Sequence, residues 1–371
     1  MLTIAQKLDY IPALASVAVT FVWALLTVAI RAPEYPSHWL LHVGYAVFRK
    51  LTARLSAAQM QYVLPASNLV YNRYIRSVRQ KPLTVQLEHG AMGHWIGDPK
   101  AKNILVWYHG TSRLLAHNPP GVLTEAGGGF ALPANIGYFK FFASIVADCE
   151  RNGQSLAVFA LTYTLAPVAT YPTQLRQAVE ALRYILVEKR HSADHVMLGG
   201  DSAGGNLVGG VLSHLSHTHP AIDPLPLDGA ALAGAVMIAP WTQLQPELGD
   251  RIIDSRGDLI TPAVGPLWGS GYVGEAPKDF YTDLSDAPVE WFAKFPVRKI
   301  LVCGGEREIL LPVIEDFVEK LRKGFKGDVE FCVGKGEGHV APVYNLYIGD
   351  KRETQQGARA KSFIRGLLEK M

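Results

Sequence analysis

The sequence predicts an α/β fold: a mostly parallel central sheet with helices on both faces and a cap, preceded by one apolar helix. Three observations lead to it. From residue 83 onward, short apolar runs alternate with longer stretches of helical periodicity. Those runs are apolar at nearly every position, as expected of strands covered on both faces. A serine flanked by glycines stands where one such run meets a helical one. Alternating β and α elements of this kind pack as one parallel sheet between helical layers.

The N-terminal helix comes first. Residues 11–30 carry no charged side chain. A helix of about 20 such residues reaches across a hydrocarbon core of roughly 30 Å. Lys7 and Asp9 precede the run, and Arg31 and Pro33 close it. A cleaved signal has a shorter apolar region and ends on small residues, whereas Trp23, Leu25 and Leu26 stand late here. Residues 1–31 are therefore expected to form an uncleaved, single-pass membrane anchor, with the endoplasmic reticulum as the expected membrane. Arg31, Arg49, Lys50 and Arg54 follow the run, while only Lys7 and the amino terminus precede it. That asymmetry favours a cytosolic domain, as does the lack of an Asn-x-Ser/Thr sequon; a lumenal domain stays open.

Residues 32–82 are expected to be amphipathic cap or linker helices. Leu40, Val43, Val47, Leu51 and Leu55 recur at helical spacing among basic residues. Such a helix either packs on the domain or lies against the membrane beside the substrate entrance.

The main domain is expected over residues 83–371. Its strand candidates are residues 83–88, 103–108, 156–162, 196–200, 233–239, 300–303 and 329–333, with helical patterns between them such as 171–189 and 203–214. Residues 241–298, rich in Pro, Gly, Trp and Tyr, interrupt the rhythm and are expected to form a cap insertion. A net charge of +3 without a basic run argues against nucleic acid as a partner. The three cysteines, Cys149, Cys303 and Cys332, lack the spacing of a disulfide framework or a zinc site. No cluster calls for a metal or cofactor.

The chemistry centres on Gly200-Asp201-Ser202-Ala203-Gly204-Gly205. A G-x-S-x-G motif between a strand and a helix is the nucleophile elbow of the α/β-hydrolase fold. The turn is so sharp that side chains at Gly200 and Gly204 would clash, and it leaves Ser202 at a helix N-terminus, where developing negative charge is favoured. A serine hydroxyl needs a base, and in this fold the order is Ser, acid, His. His339 fits the base, in the glycine-rich segment after residues 329–333. The acid belongs just past residues 300–303. Glu308, in the loop close to the strand end, is the first choice; Glu306 and Asp316 are the alternatives.

Taken together, these residues resemble the hormone-sensitive-lipase-like group of α/β hydrolases, which includes arylacetamide deacetylases and steryl acetyl hydrolases. Ser202 lies in the group's Gly-Asp-Ser-Ala-Gly-Gly. Tyr163-Thr164-Leu165-Ala166-Pro167 is similar to its Tyr-Arg-Leu-Ala-Pro, with Thr164 in place of Arg. Glu306-Arg307-Glu308-Ile309-Leu310 is similar to Glu-x-Asp-Pro-Leu and puts Glu308 at the group's catalytic acid. The stretch from Gly93 to Pro99 is similar to fungal members. The resemblance spans roughly residues 83 to 371. It implies a serine esterase or deacetylase acting on a small hydrophobic ester. The competing readings are an impaired member that binds a hydrophobic ligand, and amide hydrolysis or acyl condensation on the same fold.

One departure stands out. The group's His-Gly-Gly-Gly, which supplies oxyanion-hole N–H donors, is split here. His109-Gly110 is separated from Gly128-Gly129-Phe130 by residues 111–127. Removing the insert restores the motif and assigns Gly128, Gly129 and Ala203 to the oxyanion hole. The insert is either a loop that bulges out of the site or an unspliced intron, since the codons for Gly110-Thr111-Ser112 and Ala126-Gly127 can spell in-frame splice signals.

Overall fold

The computed structural model describes residues 2–112, 129–246, 248–251 and 253–369. One sheet contains β1 (Thr84–Gln86), β2 (Met92–Ile96), β3 (Asn103–Ser112), β4 (Leu156–Thr164), β5 (Val196–Asp201), β6 (Gly234–Ile238), β7 (Lys299–Gly305) and β8 (Asp328–Gly334). The strand order is β1-β2-β4-β3-β5-β6-β7-β8. β2 is antiparallel to both β1 and β4, and the other pairs are parallel.

Seven of these strands lie where the sequence places them; β2 was not anticipated. Its sequence, Met-Gly-His-Trp-Ile, breaks the apolar pattern, yet every residue is buried. Gly93 is needed because a Cβ there would lie 1.8 Å from the Phe159 ring on β4. His94 is satisfied by a 2.9 Å hydrogen bond between its Nδ1 and Thr84 Oγ1. β3 also runs further than expected. Thr111 and Ser112, the first two residues of the insert, continue it, with a register shift between His109 and Ser112. The rest of the insert, with Gly128, lies outside the described residues.

Helices cover both faces. α4 (Ser67–Ser77), α5 (Ile136–Arg151) and α11 (Gln355–Leu368) pack on Leu105, Trp107, Val158, Met197, Val236 and Leu301. α6 (Thr173–Arg183), α7 (Ala203–Ser216) and α9 (Leu311–Gly324) pack on the alternate residues, including Ile104, Val106, Ala157, Leu198, Ala235 and Val302. Burial on both faces explains the continuous apolar runs. Residues 241–298, expected as a cap insertion, hold α8 (Val264–Val273) and several single helical turns. The three thiols are free, Cys149 and Cys303 buried and Cys332 half-buried.

The apolar helix α1 runs over Ile4–Leu26, not 11–30. It starts early because Thr3 and Gln6 form a reciprocal capping box. Together with α2 (Trp39–Arg54) and α3 (Ala57–Val63) it forms a helical hairpin. Two of its polar side chains pair across to the neighbouring segment: Arg54 Nη1 donates to Asp9 Oδ2 at 2.7 Å, and Gln6 Nε2 to Ser56 Oγ at 3.3 Å. Ala13 is buried with Leu55 and Met60, and Leu132 of the main domain packs on the same cluster. Ile4, Leu8, Ile11, Val19, Trp23 and Leu26 face outward. α1 is long and apolar enough to cross a membrane by length and composition. α10 (Ala341–Ile348) completes the set and touches both α2 and α5.

Candidate active site

The site forms where the C-terminal ends of β3, β5, β7 and β8 converge. Ser202 caps α7 at φ 52°, ψ −117°, a left-handed conformation that a non-glycine residue adopts only when its surroundings impose it. The turn is fixed from both sides. The Ser202 N–H donates to the Ile238 carbonyl at 2.9 Å, and the Trp241 N–H donates to the Ser202 carbonyl at 3.0 Å. A Cβ on Gly200 would meet the Gly204 carbonyl oxygen at 2.2 Å, and one on Gly204 the Tyr108 carbonyl oxygen at 1.8 Å. Both glycines are required by contact as well as by turn shape.

Ser202 Oγ lies 2.8 Å from Nε2 of His339, and Nδ1 of His339 lies 3.3 Å from Oε1 of Glu308. The Glu308 side chain is fully buried, and its other oxygen accepts the N–H of Gly305. The two alternative acids are engaged elsewhere. Glu306 accepts the Gly336 N–H at 2.7 Å, and Asp316 pairs with Arg251. Burial lowers the proton affinity of His339, but the Glu308 hydrogen bond and the charges of Glu308, Asp258 and Asp201 outweigh it and raise its pKa. An imidazole so placed is able to accept and hold a proton.

Asp201 lies beneath the elbow. It accepts from Trp107 Nε1 at 2.9 Å and from the Tyr138 hydroxyl at 2.6 Å. Burial pushes its pKa up to about 6 against those hydrogen bonds. Tyr138 also stacks on His109 at 3.4 Å between ring centroids, so the end of β3, the elbow and α5 share one polar core.

Of the oxyanion candidates, Gly129 and Ala203 line the same cavity as Ser202 and His339. Gly128 lies outside the described residues. Gly129 is held against the Trp241 indole, which a Cβ would meet at 2.2 Å. Phe130 follows at φ 65° and stacks on Tyr272 of α8 at 3.4 Å.

The cavity is about 50 Å³. Phe130, Leu259, Ile260 and Trp268 give it an apolar wall, and Phe48 and Thr52 reach it from α2. Residues 32–82 are expected from the sequence as cap or linker helices; which of their side chains reach the cavity depends on a long-range docking that periodicity cannot express. The sequence reading missed Asp258, a fully buried carboxylate that accepts the backbone N–H of His339 at 2.8 Å. No motif or spacing marks that residue. Glu88, His89 and Glu180 bring three possible metal-ligand atoms within 4.8 Å of one another, but Glu180 is paired with Arg183.

A family model described as the alpha/beta hydrolase fold matches residues 126–343. An esterase of Fusarium pseudograminearum is 36% identical over 95 residues, 24% of this chain and 27% of that protein. Steryl acetyl hydrolase 1 of Saccharomyces cerevisiae is 26% identical over 144 residues, 39% of this chain and 28% of that protein. The match thus spans less than a third of the length of either relative. The crystal structure of carboxyl esterase 2 from Tuber melanosporum is similar in fold, with a TM-score of 0.56 at 20% identity over 78% of this chain and 86% of that one.

Proposed function

The chain belongs to the α/β-hydrolase-fold family, and from that premise we propose that it is a serine carboxylic-ester hydrolase acting on a small hydrophobic ester. The observation that carries this reading is the 2.8 Å contact between Ser202 Oγ and His339 Nε2, with Glu308 behind the histidine.

Ser202 Oγ attacks the ester carbonyl while His339 Nε2 takes its proton. Ala203 and Gly129, with Gly128, donate N–H groups to the oxyanion. Collapse of the tetrahedral intermediate returns the proton from His339 to the leaving alcohol and leaves an acyl group on Ser202. A water, deprotonated by the same imidazole, then releases the acid. Glu308 orients the ring and stabilises the imidazolium in both steps. The apolar wall of Phe130, Leu259, Ile260 and Trp268 supports a hydrophobic substrate.

The test is a fluorophosphonate probe combined with nitrophenyl esters of graded acyl length. Labelling at Ser202 with ester turnover is expected. A folded protein that neither labels nor turns over any ester would sink this reading. That outcome would favour a ligand-binding role, which the split oxyanion motif motivates.

Association with a membrane through the outward face of α1 is part of the proposal. It rests on the apolar side chains that α1 presents away from α2. The division into anchor (1–31), cap or linker helices (32–82) and catalytic domain (83–371) is proposed on the same footing.

A further inference from the structure

Asp258 belongs to the cap insertion, outside the sheet, yet its carboxylate is fully buried beside Glu308 and His339. Its Oδ1 accepts the N–H of His339 at 2.8 Å and of Leu259 at 2.7 Å; its Oδ2 accepts the N–H of Ile309 at 2.9 Å. One side chain thus joins three loops: its own, the one that carries the acid, and the one that carries the base.

The Asp258 loop is itself held from outside the catalytic domain. Arg49 of α2 donates to the carbonyls of Arg256 and Asp258. Arg307, next to the acid, donates to the carbonyls of Pro33 at 2.7 Å and Tyr35 at 3.0 Å. Gly257 is wedged between these contacts. A Cβ there would lie 2.7 Å from the Arg307 side chain and 2.8 Å from the Glu34 carbonyl oxygen.

We propose that Asp258 is a positioning residue for the triad, fixing the backbones that carry Glu308 and His339 and supporting the imidazolium with its charge. The proposal rests on the serine-hydrolase reading above.

The chemistry requires a carboxylate here. Only an ionised carboxyl offers acceptors on both oxygens for three N–H donors. An amide turns one end into a donor and leaves a buried N–H facing another, which is costly. Burial raises the Asp258 pKa to about 6, with the charge of Glu308 adding to it and the charge and backbone N–H of His339 opposing it. The groups that face it are His339 and Glu308 from the loops after β8 and β7, and Arg49 and Tyr45 from α2. A negative charge here raises the proton affinity of His339. A neutral residue lowers it, so the acidic limb of the rate profile moves to lower pH.

The experiment compares the full-length protein with Asp258→Asn and Asp258→Glu, with rates normalised to fluorophosphonate-titrated sites. For Asp258→Asn, kcat is expected to fall about ten- to a hundredfold, with KM within about twofold and the acidic limb displaced to lower pH. Asp258→Glu, which keeps the charge, is expected to leave the limb in place and recover part of kcat. An Asn variant with unchanged kcat and limb overturns the proposal. So does a loss that disappears after normalisation, which would reduce Asp258 to a folding role. If the Asn variant does not fold, Arg49→Gln carries the test. It spares the carboxylate but frees its loop, so kcat per site must fall with KM unchanged, and an unchanged kcat overturns the proposal. Labelling that survives Ser202→Ala would instead remove the parent reading, so the two failures are distinguishable.

Discussion

Ser202 Oγ and His339 Nε2 lie 2.8 Å apart although 137 residues separate them in the chain. Each is set by a constraint of its own. Ser202 is held in left-handed backbone by β6 and the Trp241 amide. His339 is held by hydrogen bonds from its backbone to Asp258 and from its ring to Glu308. The pair is therefore assembled before any substrate arrives, and its function can be probed one residue at a time.

Ser202→Ala is predicted to abolish fluorophosphonate labelling and to lower esterase turnover by at least about 10⁴-fold. The fold should survive, because the elbow is held by backbone bonds and by Gly200 and Gly204. Circular dichroism and probe labelling check this together. Persistent labelling would remove Ser202 from the mechanism.

Glu308→Gln should be far more damaging than Glu306→Gln. The first change replaces the charge that holds the His339 ring and reduces turnover by up to about 10⁴-fold. The second weakens one hydrogen bond to Gly336 at an exposed site and costs less than about tenfold. Steady-state rates of the two variants decide it, and the reverse order would reassign the acid.

Activity should be lost on acidification earlier than for an ordinary histidine. The base works only when neutral, and the carboxylates around His339 raise its pKa above the usual 6.5. Below that raised value the ring is protonated and kcat/KM falls. A pH profile of kcat/KM whose acidic limb lies below 6.5 contradicts this.

Full-length protein should sediment with membranes and resist carbonate extraction, and removal of residues 1–30 should release it. Deletion through residue 55 should go further and cost activity by more than about tenfold, because it removes Phe48 and Thr52 from the cavity and Arg49 from the Asp258 loop. Fractionation and rate assays on the two truncations separate attachment from catalysis. Equal activity in both would show that α2 is dispensable.

Deleting Thr111 to Gly127 should preserve or raise esterase activity. Oxyanion donors must sit about 2.7–3.1 Å from the developing charge, and a short glycine turn directly after His109-Gly110 holds them more tightly than a long excursion. Sequencing the mature transcript asks whether the insert is translated. A transcript that keeps it, together with a folded deletion variant that loses activity, would make it a functional loop.

The parallel core was legible because burial on both faces leaves continuous apolar runs such as residues 103–108 and 196–200. β2 was not, because Gly93 makes room for the Phe159 ring and His94 is satisfied by Thr84, two accommodations that only the partner strands reveal. The elbow and the chain order led to Ser202 and His339, which lie 2.8 Å apart in the fold. Glu308 was favoured over Glu306 by its place in the loop after the strand and by the resemblance of residues 306–310 to Glu-x-Asp-Pro-Leu, and the two carboxylates do point to different partners. Asp258 left no trace, since its role depends on three backbone N–H groups that the fold gathers from distant segments. For α2 the helical period led to a cap helix, but not to the side chains, Phe48 and Thr52, that reach the cavity.

The contact between Gly129 and Trp241 also limits how this sequence can drift. An added methyl at Gly129 must displace an indole whose own backbone N–H secures the Ser202 turn. Even the smallest substitution at that codon therefore reaches the Ser202 turn. A larger residue at 129 becomes tolerable only after Trp241 has shrunk, so the two changes have an obligatory order. While the indole stays in place, position 129 is confined to glycine.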